Sequence, residues 1–470
     1  MIETSVRIPW EAFVIATPRG RPAASLGAPL AVALFCVVFS ACGDSSSTAP
    51  SEPTPPPGRW LGAERIDGEP PDFASCNPPL APVVATDASG GIVASWLSGC
   101  RVWVSTTSRG QAWGRPGQLA TIAADVPPSW IWEPTLAANS AGTALVAWGA
   151  QDRTAGRQLF SSRYQPQPPA WFVVQRFDGG EAQQLASPYT AALALDGAGS
   201  GLAVWDSGGV VAAQRLASLT SDAWQPPDRL APQPSSAPRV FLDAAGRGFA
   251  TWSSSGEAFA QRFDPQGGWS ETTRFAPDAG WSFVGSGEVA FDASGQALLV
   301  WQRNQAATQT SSVWSAAYTG GRWSALGLIS ASGGRAVSPH VGIDSSGRGI
   351  SVWSEQLGPV YARYESGAWT APLLVTSAPG MGPTALAVST GGNAVAAWKE
   401  TDAATGRSRV AAARYAGGAW GARESLQASS NQPNHPAAAI DPCGNAVAIW
   451  SELESGRTRV WANRYETACP

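Results

Sequence analysis

The chain has 470 residues, of which 44% are hydrophobic, so it is long and apolar enough to bury a large core. Only 14% of the residues are charged, and the formal net charge is -4. This balance argues against a nucleic-acid-binding protein, which typically carries a basic patch or a basic excess.

Residues 1–42 are typical of an export signal. Two arginines precede an apolar stretch, 30–41, which is too short to cross a bilayer as an anchor helix. Cys42 follows the small residues Ser40 and Ala41, and this end of the stretch resembles the lipobox of bacterial lipoproteins. The resemblance implies that Cys42 is lipidated and anchors the chain in the cell envelope, with the outer membrane as the expected location. An ordinary secretory signal with an incidental cysteine is the alternative.

The next segment, residues 43–57, is rich in Ser and Pro. It is too polar to pack into a core and is predicted to be a flexible tether. Residues 58–470 are then expected to form the folded domain.

One unit recurs eight times in this domain. Each copy has an Asp, or an Asn or Ser in its place, with a Gly three residues later and a Trp nine residues later. The copies are Asp87/Gly90/Trp96, Asn139/Gly142/Trp148, Asp196/Gly199/Trp205, Asp243/Gly246/Trp252, Asp292/Gly295/Trp301, Asp344/Gly347/Trp353, Ser389/Gly392/Trp398 and Asp441/Gly444/Trp450. Successive copies lie 45 to 57 residues apart, which is the period of a propeller or a solenoid.

A second Trp marks the later half of each copy, but the eighth copy stops before it. The seven are Trp113, Trp171, Trp224, Trp269, Trp323, Trp369 and Trp420. Residues 58–66, GRWLGAERI, match residues 418–426, GAWGARESL, and so supply Trp60 as the eighth. A ring whose last blade takes a strand from the N-terminal segment has no free edge. The sequence therefore predicts an all-β, eight-bladed β-propeller with four antiparallel strands per blade, closed by an N-terminal strand.

The segment from Asp to Gly is predicted to be the turn between the first two strands, A and B, of each blade. An Asp, Asn or Ser oxygen can accept a hydrogen bond from a backbone N–H two residues later, and Gly can take the left-handed conformation that ends the turn. Asn139 and Ser389 suit a turn but not a general acid. One oxygen per turn is too few for calcium. We predict no catalytic residue, metal or cofactor at these positions, and the recurring Trp residues are expected to fill space between blades.

Parts of the repeat resemble known propellers. PHVGIDSSGRGISVW, residues 339–353, resembles the NHL-type repeat, with Trp353 where that family tends to have a second Asp. RYESGAW, residues 363–369, is similar to strands of fucose-binding lectin propellers. The spacing from Asp to Trp is longer than in the Asp-box of sialidases and in quinoprotein-type repeats, which argues against those two activities.

Four cysteines accompany Cys42 in the mature chain, and they allow three pairings. Cys443 lies in an A–B turn and Cys469 lies just past strand C of the same blade, so both should reach the same face. Cys76 precedes strand A of the first blade and Cys100 follows its strand B. We predict the disulfides Cys76–Cys100 and Cys443–Cys469, formed in an oxidising compartment. Peptide mapping that joined Cys100 to Cys443 would contradict both.

The predicted binding face carries the B–C and D–A loops, because these vary in length and chemistry whereas the A–B turns barely vary. Three Trp residues outside the repeat pattern lie in D–A connections and are candidate ligand-binding residues: Trp130, Trp132 and Trp281. Four places before the Asp-like residue, most blades carry a small or apolar residue, but blades 4, 5 and 6 carry Arg239, Glu288 and His340. Strand A is innermost, so these three should cluster near the central channel. They form either a small site for a polar or anionic ligand or a solvated ion pair beside an imidazole.

Three functions stay open. The first is a membrane-tethered, non-enzymatic propeller that binds a protein or envelope component, similar in plan to the eight-bladed lipoprotein scaffold of outer-membrane protein assembly. The second is a carbohydrate-binding propeller, which predicts equivalent sites between successive blades. The third is a hydrolase or lyase at Arg239, Glu288 and His340. With two histidines in the chain and no supporting motif, a Ser-His-Asp triad is not indicated. We therefore expect a binding protein that is not an enzyme.

Overall fold

A computed structural model describes most of the predicted domain. The described residues are 58–68, 81–98, 101–119, 130–132, 134–152, 156–178, 191–217, 223–231, 236–331, 333–377, 384–402, 405–427, 432–454 and 457–467. Within these ranges all regular structure is β-strand. None of the described residues belongs to a helix long and apolar enough to cross a membrane. The predicted signal, the tether and Cys42 lie outside the described residues.

The described strands form eight antiparallel sheets, which we number as blades 1 to 8. In chain order the strands are β1 (Arg59–Trp60) and β2 (Glu64–Arg65) of blade 8; β3 (Val83–Thr86), β4 (Ile92–Ser98), β5 (Arg101–Thr107) and β6 (Gly117–Gln118) of blade 1; β7 (Trp130–Ile131), β8 (Thr135–Ala138), β9 (Ala144–Asp152), β10 (Gly156–Pro166), β11 (Pro169–Trp171) and β12 (Gln175–Arg176) of blade 2; β13 (Ala192–Leu195), β14 (Gly201–Asp206), β15 (Val211–Leu216) and β16 (Asp228–Ala231) of blade 3; β17 (Ser236–Leu242), β18 (Gly248–Ser254), β19 (Glu257–Asp264) and β20 (Gly268–Phe275) of blade 4; β21 (Trp281–Phe291), β22 (Ala297–Gln305), β23 (Thr310–Thr319), β24 (Arg322–Trp323) and β25 (Gly327–Leu328) of blade 5; β26 (Val337–Ile343), β27 (Gly349–Glu355), β28 (Gly358–Glu365), β29 (Ala368–Trp369) and β30 (Leu373–Leu374) of blade 6; β31 (Thr384–Val388), β32 (Ala394–Thr401), β33 (Ser408–Ala416), β34 (Ala419–Trp420) and β35 (Glu424–Ser425) of blade 7; and β36 (Gln432–Ile440), β37 (Ala446–Glu454) and β38 (Arg457–Glu466) of blade 8.

The eight sheets close into a ring. Strand A of each blade, which is β3, β8, β13, β17, β21, β26, β31 or β36, contacts strand A of both neighbouring blades. The contact between β3 and β36 joins the first blade to the last. The predicted eight-bladed propeller is confirmed. One detail differs, because the outer strand D of several blades is broken into two short pieces, as in β24 and β25.

Blade 8 is completed by the N-terminal segment, as predicted. Both β1 and β2 pair with β38, with Trp60 opposite Tyr465 in the register. The two rings meet edge to face at 5.7 Å between centroids. The Ile66 N–H extends the pairing with a 2.9 Å hydrogen bond to the Val460 carbonyl. The segment therefore covers the edge of β38 that would otherwise be exposed.

The core consists of large residues between the blades. All eight Trp residues of strand B are at most 2% exposed, which confirms that they fill space between the blades: Trp96, Trp148, Trp205, Trp252, Trp301, Trp353, Trp398 and Trp450. Strand B is covered on both faces by neighbouring sheets, so its residues are apolar or small on both faces.

Each A–B turn is stabilised by its Asp-like residue. In blade 6 the Asp344 Oδ1 accepts hydrogen bonds from the backbone N–H groups of Ser346 and Arg348, both at 2.9 Å. Asn139 accepts the two equivalent bonds, and the Ser389 hydroxyl accepts the second of them, from the Asn393 N–H at 3.1 Å. The Gly at the third place has φ between +82° and +87° in all eight turns. The predicted role of these residues in turns is confirmed.

Candidate functional site at the mouth of the central channel

The structure brings Arg239, Glu288 and His340 together. The Glu288 Oε2 atom lies 2.9 Å from the His340 Nδ1 atom and 3.4 Å from the Arg239 Nη1 atom. The other carboxylate oxygen, Oε1, is 3.5 Å from the Val341 backbone N–H. Glu288 is therefore the centre of the cluster, and it links strand A of three successive blades.

Bulges in strand A set the positions of the three side chains. From Ser236 to Arg239, strand β17 advances three residues while its partner β18 advances two. Strand β26 likewise advances three residues, from Val337 to His340, while β27 advances two. From Val284 to Glu288, strand β21 advances four residues while its partner β22 advances two. A bulge bends its strand and turns the following side chain. These bulges lie at the end of strand A away from the A–B turn, on the face that carries the B–C and D–A loops.

Hydrogen bonds within and between blades fix the backbone around Glu288 and His340. The buried Thr251 of blade 4 donates its hydroxyl to the Gly287 carbonyl at 2.7 Å. The Trp301 indole N–H donates to the Gly285 carbonyl at 3.2 Å. A Cβ at Gly287 would lie 2.5 Å from the Trp301 ring, so only glycine allows this approach. In blade 6 the Ser351 hydroxyl similarly holds the His340 carbonyl at 2.9 Å.

The electrostatics keep Glu288 ionised. Burial alone raises the pKa of this carboxyl, but the His340 ring, the Arg239 charge and the Val341 N–H together outweigh burial and hold the pKa below its ordinary value. A carboxylate can only accept a hydrogen bond, so the His340 Nδ1 must donate. In the neutral ring, Nε2 then carries the lone pair. Arg239 is half exposed and offers its other N–H groups to solvent.

Trp281, one of the off-pattern Trp residues, packs outside this cluster. Trp281 begins β21 and packs against Arg303, whose guanidinium lies 5.5 Å from the Trp281 ring centroid and 4.3 Å from that of Trp314. Arg303 is buried and forms an ion pair with Asp278 at 2.9 Å. Trp281 therefore has a structural contact that the sequence did not reveal.

The two Trp residues of blade 2 lie in a backbone pairing at the rim. Trp130 pairs with Gln151 in β9, and the Trp132 N–H donates to the Gly149 carbonyl at 3.0 Å. Their predicted role in ligand binding stays a prediction.

Two other basic residues lie on the same loop face, in blades 7 and 8. Burial lowers the pKa of Lys399, and burial together with the Lys399 charge lowers the pKa of His435. The His435 Nδ1 is buried and has no hydrogen-bond partner among the described residues. Lys399 is the one lysine of the chain and His435 is one of its two histidines, and no local sequence pattern places one beside the other.

Of the predicted disulfide cysteines, Cys443 alone is described. It lies in the A–B turn of blade 8 and is disulfide-bonded. Cys76, Cys100 and Cys469 lie outside the described residues, so both pairings stay predictions.

The geometry provides one general base and one cation side by side. A carboxylate that accepts the Nδ1–H of a His ring fixes the tautomer of the ring, so Nε2 is the nitrogen that can take up and return a proton. The Arg239 guanidinium can pair with a carboxylate or sulfate group of a ligand. The three residues alone can thus bind an anionic molecule and transfer a proton within it.

This architecture and cluster define an eight-bladed propeller with a polar site at the channel mouth. The chain is similar to a protein of unknown function from Dyadobacter fermentans, with a TM-score of 0.45 and 14% identity over 87% of this chain and 99% of that one. It is also similar to an ulvan lyase with a bound saccharide, with a TM-score of 0.48 and 9% identity over 86% and 95% of the two chains. The intramolecular trans-sialidase of Ruminococcus gnavus matches with a TM-score of 0.36 and 9% identity over 84% and 96%. No family model and no curated protein matches the sequence.

These neighbours correct the expectation that the chain is not an enzyme. That expectation rested on the bland repeats and the missing triad motif, yet polysaccharide lyases and sialidases are found among the similar propellers. In a propeller the repeats build the scaffold, so their lack of catalytic motifs says nothing about sites elsewhere. At these identities the likeness shows the fold alone. The resemblance to NHL-type repeats stays a prediction.

Proposed function

We propose that the protein is an acid–base enzyme that acts on an acidic polysaccharide by β-elimination at the channel mouth. The observation that carries this proposal is the Glu288 carboxylate between the His340 Nδ1, at 2.9 Å, and the Arg239 guanidinium, at 3.4 Å. The arrangement supplies a base and a cation for one anionic sugar. It lies on the loop face, where the varied loops can contact a long substrate.

The proposed reaction needs only these groups. Arg239 pairs with the carboxylate of a uronate residue and so makes the neighbouring C–H bond more acidic. The His340 Nε2 takes that proton, a carbon–carbon double bond forms and the glycosidic carbon–oxygen bond to the ring breaks. The imidazolium then gives its proton to the departing oxygen. Atoms and charge balance without water or another reactant.

Hydrolysis of a glycosidic bond fits the cluster less well. Most glycosidases use two carboxyl groups that lie roughly 5 to 10 Å apart, one as acid and one as base or nucleophile. The cluster contains one carboxylate, and this group is already hydrogen-bonded to His340. For this reason we favour elimination over hydrolysis.

Polysaccharide digestion tests the proposal. The purified chain is incubated with uronate-containing polysaccharides, and the ultraviolet absorbance of the unsaturated sugar is followed. We expect His340→Gln to lower kcat by roughly 10²- to 10⁴-fold, because proton transfer is lost. Arg239→Ala should mainly raise KM, and Glu288→Gln should lower kcat and change the pH profile.

The control is Arg322→Ala, which removes an exposed arginine from β24 at the other end of blade 5 and should leave the rate unchanged. Full activity of His340→Gln would overturn the assigned base. Absence of any unsaturated product with every acidic polysaccharide would overturn the reaction itself.

Attachment to a cell-envelope membrane through lipid on Cys42 is a separate proposal that rests on the sequence of the export signal. Labelling with a palmitate analogue would test it, and the Cys42→Ser variant should lose the label.

A further inference from the structure

A large cleft opens between blades 5 and 6, away from the channel mouth. Its volume is ≈ 790 Å³, within the range typical of small-molecule sites. It is lined by residues from the A–B turns and from strands C and D of the two blades. It therefore lies on the face opposite Arg239, Glu288 and His340, and no part of the proposed reaction uses it.

The equivalent space between blades 2 and 3 is filled. There the Arg163 guanidinium lies 3.9 Å from the Phe172 ring centroid, and the Phe177 ring stacks on Trp224 at 4.7 Å. The Trp224 indole N–H also donates to the Ser161 hydroxyl at 3.1 Å. The cavity that the described residues leave between these blades, beside Phe172 and Trp224, has a volume of ≈ 10 Å³.

The space between blades 5 and 6 is open because three side chains of blade 5 are smaller than their counterparts in blade 2. The strand registers and hydrogen bonds place Ala317 where blade 2 has Arg163, Ser324 where it has Phe172, and Ile329 where it has Phe177. The cleft thus results from specific residues, since neighbouring blades have the same backbone plan. Between blades 4 and 5, by comparison, Phe275 and Trp323 are in ring contact at 6.2 Å.

One wall of the cleft carries a polar group without a partner. Ser315 corresponds to Ser161, is only 4% exposed, and its hydroxyl makes no hydrogen bond among the described residues. On strand C its side chain points the same way as Val313 and Ala317, which pack toward blade 6. The Ser315 hydroxyl is therefore directed toward blade 6, just as the Ser161 hydroxyl of blade 2 is directed toward Trp224 of blade 3. A buried hydroxyl without a partner is unfavourable, so a ligand hydroxyl here would be stabilising.

The opposite wall, from blade 6, is aromatic. Trp369 and Tyr364 are half-buried, and their ring centroids lie 5.4 Å apart. Asp292 is the one charged residue among those known to line the cleft, and its Oδ1 already accepts the N–H groups of Ser294 and Gln296. None of the described lining residues is a cation that could attract an anion. The chemistry suits a neutral molecule that has an apolar face and several hydroxyls.

We propose that this cleft binds a neutral sugar residue of a glycan. The C–H face of a pyranose packs against Trp369, and one of its hydroxyls bonds the Ser315 Oγ. Hydroxyls at the rim reach Ser324, Ser346 and the Gln296 amide. The site is independent of the elimination chemistry. It would bind a glycan even if the protein catalysed no elimination.

A microarray of neutral glycans tests the proposal with the full chain. We expect binding by the wild type and its loss in Ala317→Arg/Ser324→Phe, which copies the filled space between blades 2 and 3. Trp369→Ala should weaken binding about tenfold, because a packed aromatic face is lost. Equal thermal unfolding midpoints would show that the filled variant is folded.

Two controls separate this site from the proposed enzyme site. Ser161→Ala, in the filled space, and His340→Gln, at the channel mouth, should both leave glycan binding unchanged. Loss of binding in His340→Gln would place the glycan at the channel mouth and overturn the inference. Binding that persists in the filled variant, or no binding of any neutral glycan by the wild type, would also overturn it.

Discussion

At the scale of the residue, Asp67 shows how burial competes with charge. Its side chain is 2% exposed, with Arg65 Nε at 3.3 Å and Arg459 Nη1 at 3.7 Å. Burial dominates and raises the pKa of Asp67 to about 6, although both arginines lower it. The carboxyl therefore holds its proton more tightly in the folded chain than in the unfolded chain.

This shift predicts a stability change with pH. A raised pKa in the folded state stabilises the fold below the ordinary pKa, and that contribution is lost as the pH rises through about 6. Relative to Asp67→Asn, the free energy of unfolding of the wild type should fall by about 2 kcal/mol between roughly pH 4 and pH 7, because the carboxyl of the unfolded chain is already partly ionised at pH 4. Denaturant titrations of both proteins across this range measure the difference. A difference that does not vary with pH would contradict the expectation.

At the scale of the element, the A–B turns pack against one another around the ring. A Cβ on Gly142 would lie 2.6 Å from the Asp87 Oδ2 of the preceding blade, and the equivalent distance from Gly392 to the Asp344 Oδ2 is 2.9 Å. The Asp87 side chain is itself held by its turn, through N–H bonds from Ser89 and Gly91. Glycine is required here for two reasons, the left-handed backbone and the close carboxylate.

Two alanine substitutions separate these reasons. Gly418 has φ +85°, close to the +83° of Gly142, but no atom lies within 4 Å of its Cβ position. Gly418→Ala should cost about 1 kcal/mol of unfolding free energy from backbone strain alone. Gly142→Ala should cost about 1 to 3 kcal/mol more, because Asp87 must also move. Urea denaturation measures both losses of unfolding free energy. Equal losses would mean that the A–B turn accommodates the added Cβ without cost and would contradict the expectation.

At the scale of the whole molecule, the ring depends on one seam. β1 and β2 pair with β38, while Trp60 packs in the core between blades 7 and 8 and Ile66 in the core between blades 8 and 1. Every other blade takes its strands from one continuous stretch of chain. Without residues 58–66, the edge of β38 would offer unpaired backbone groups to another chain.

Deletion of residues 1–66 should therefore promote association and lower the thermal midpoint, whereas deletion of residues 1–57 should do neither. Light scattering and thermal unfolding measure the two effects. Adding a synthetic peptide of residues 58–68 should restore a monomer, since it supplies the missing strand. A stable monomer without this segment would show that the seam is dispensable.

The sequence predicts the ring well and the sites only in part. The fold follows from eight copies of a turn former and a core Trp, because both roles are local and recur at fixed spacing. The approach of Arg239, Glu288 and His340 follows from one shared strand position. The bulges before them, the contact of Trp281 with Arg303 and the cleft beside Ser315 depend on packing between blades. No spacing along the chain encodes those contacts.

The split blade also imposes an order in time. Of the described strands, a ribosome makes β1 and β2 first and completes their partner β38 last, and Gly62 and Asn463 are bonded across 401 positions of sequence. During the synthesis of seven blades this segment has no strand to pair with. Contacts so distant in sequence form slowly, and unpaired strands invite association with other chains. The newly made protein is thus most prone to associate with other chains just before β1 and β2 pair with β38.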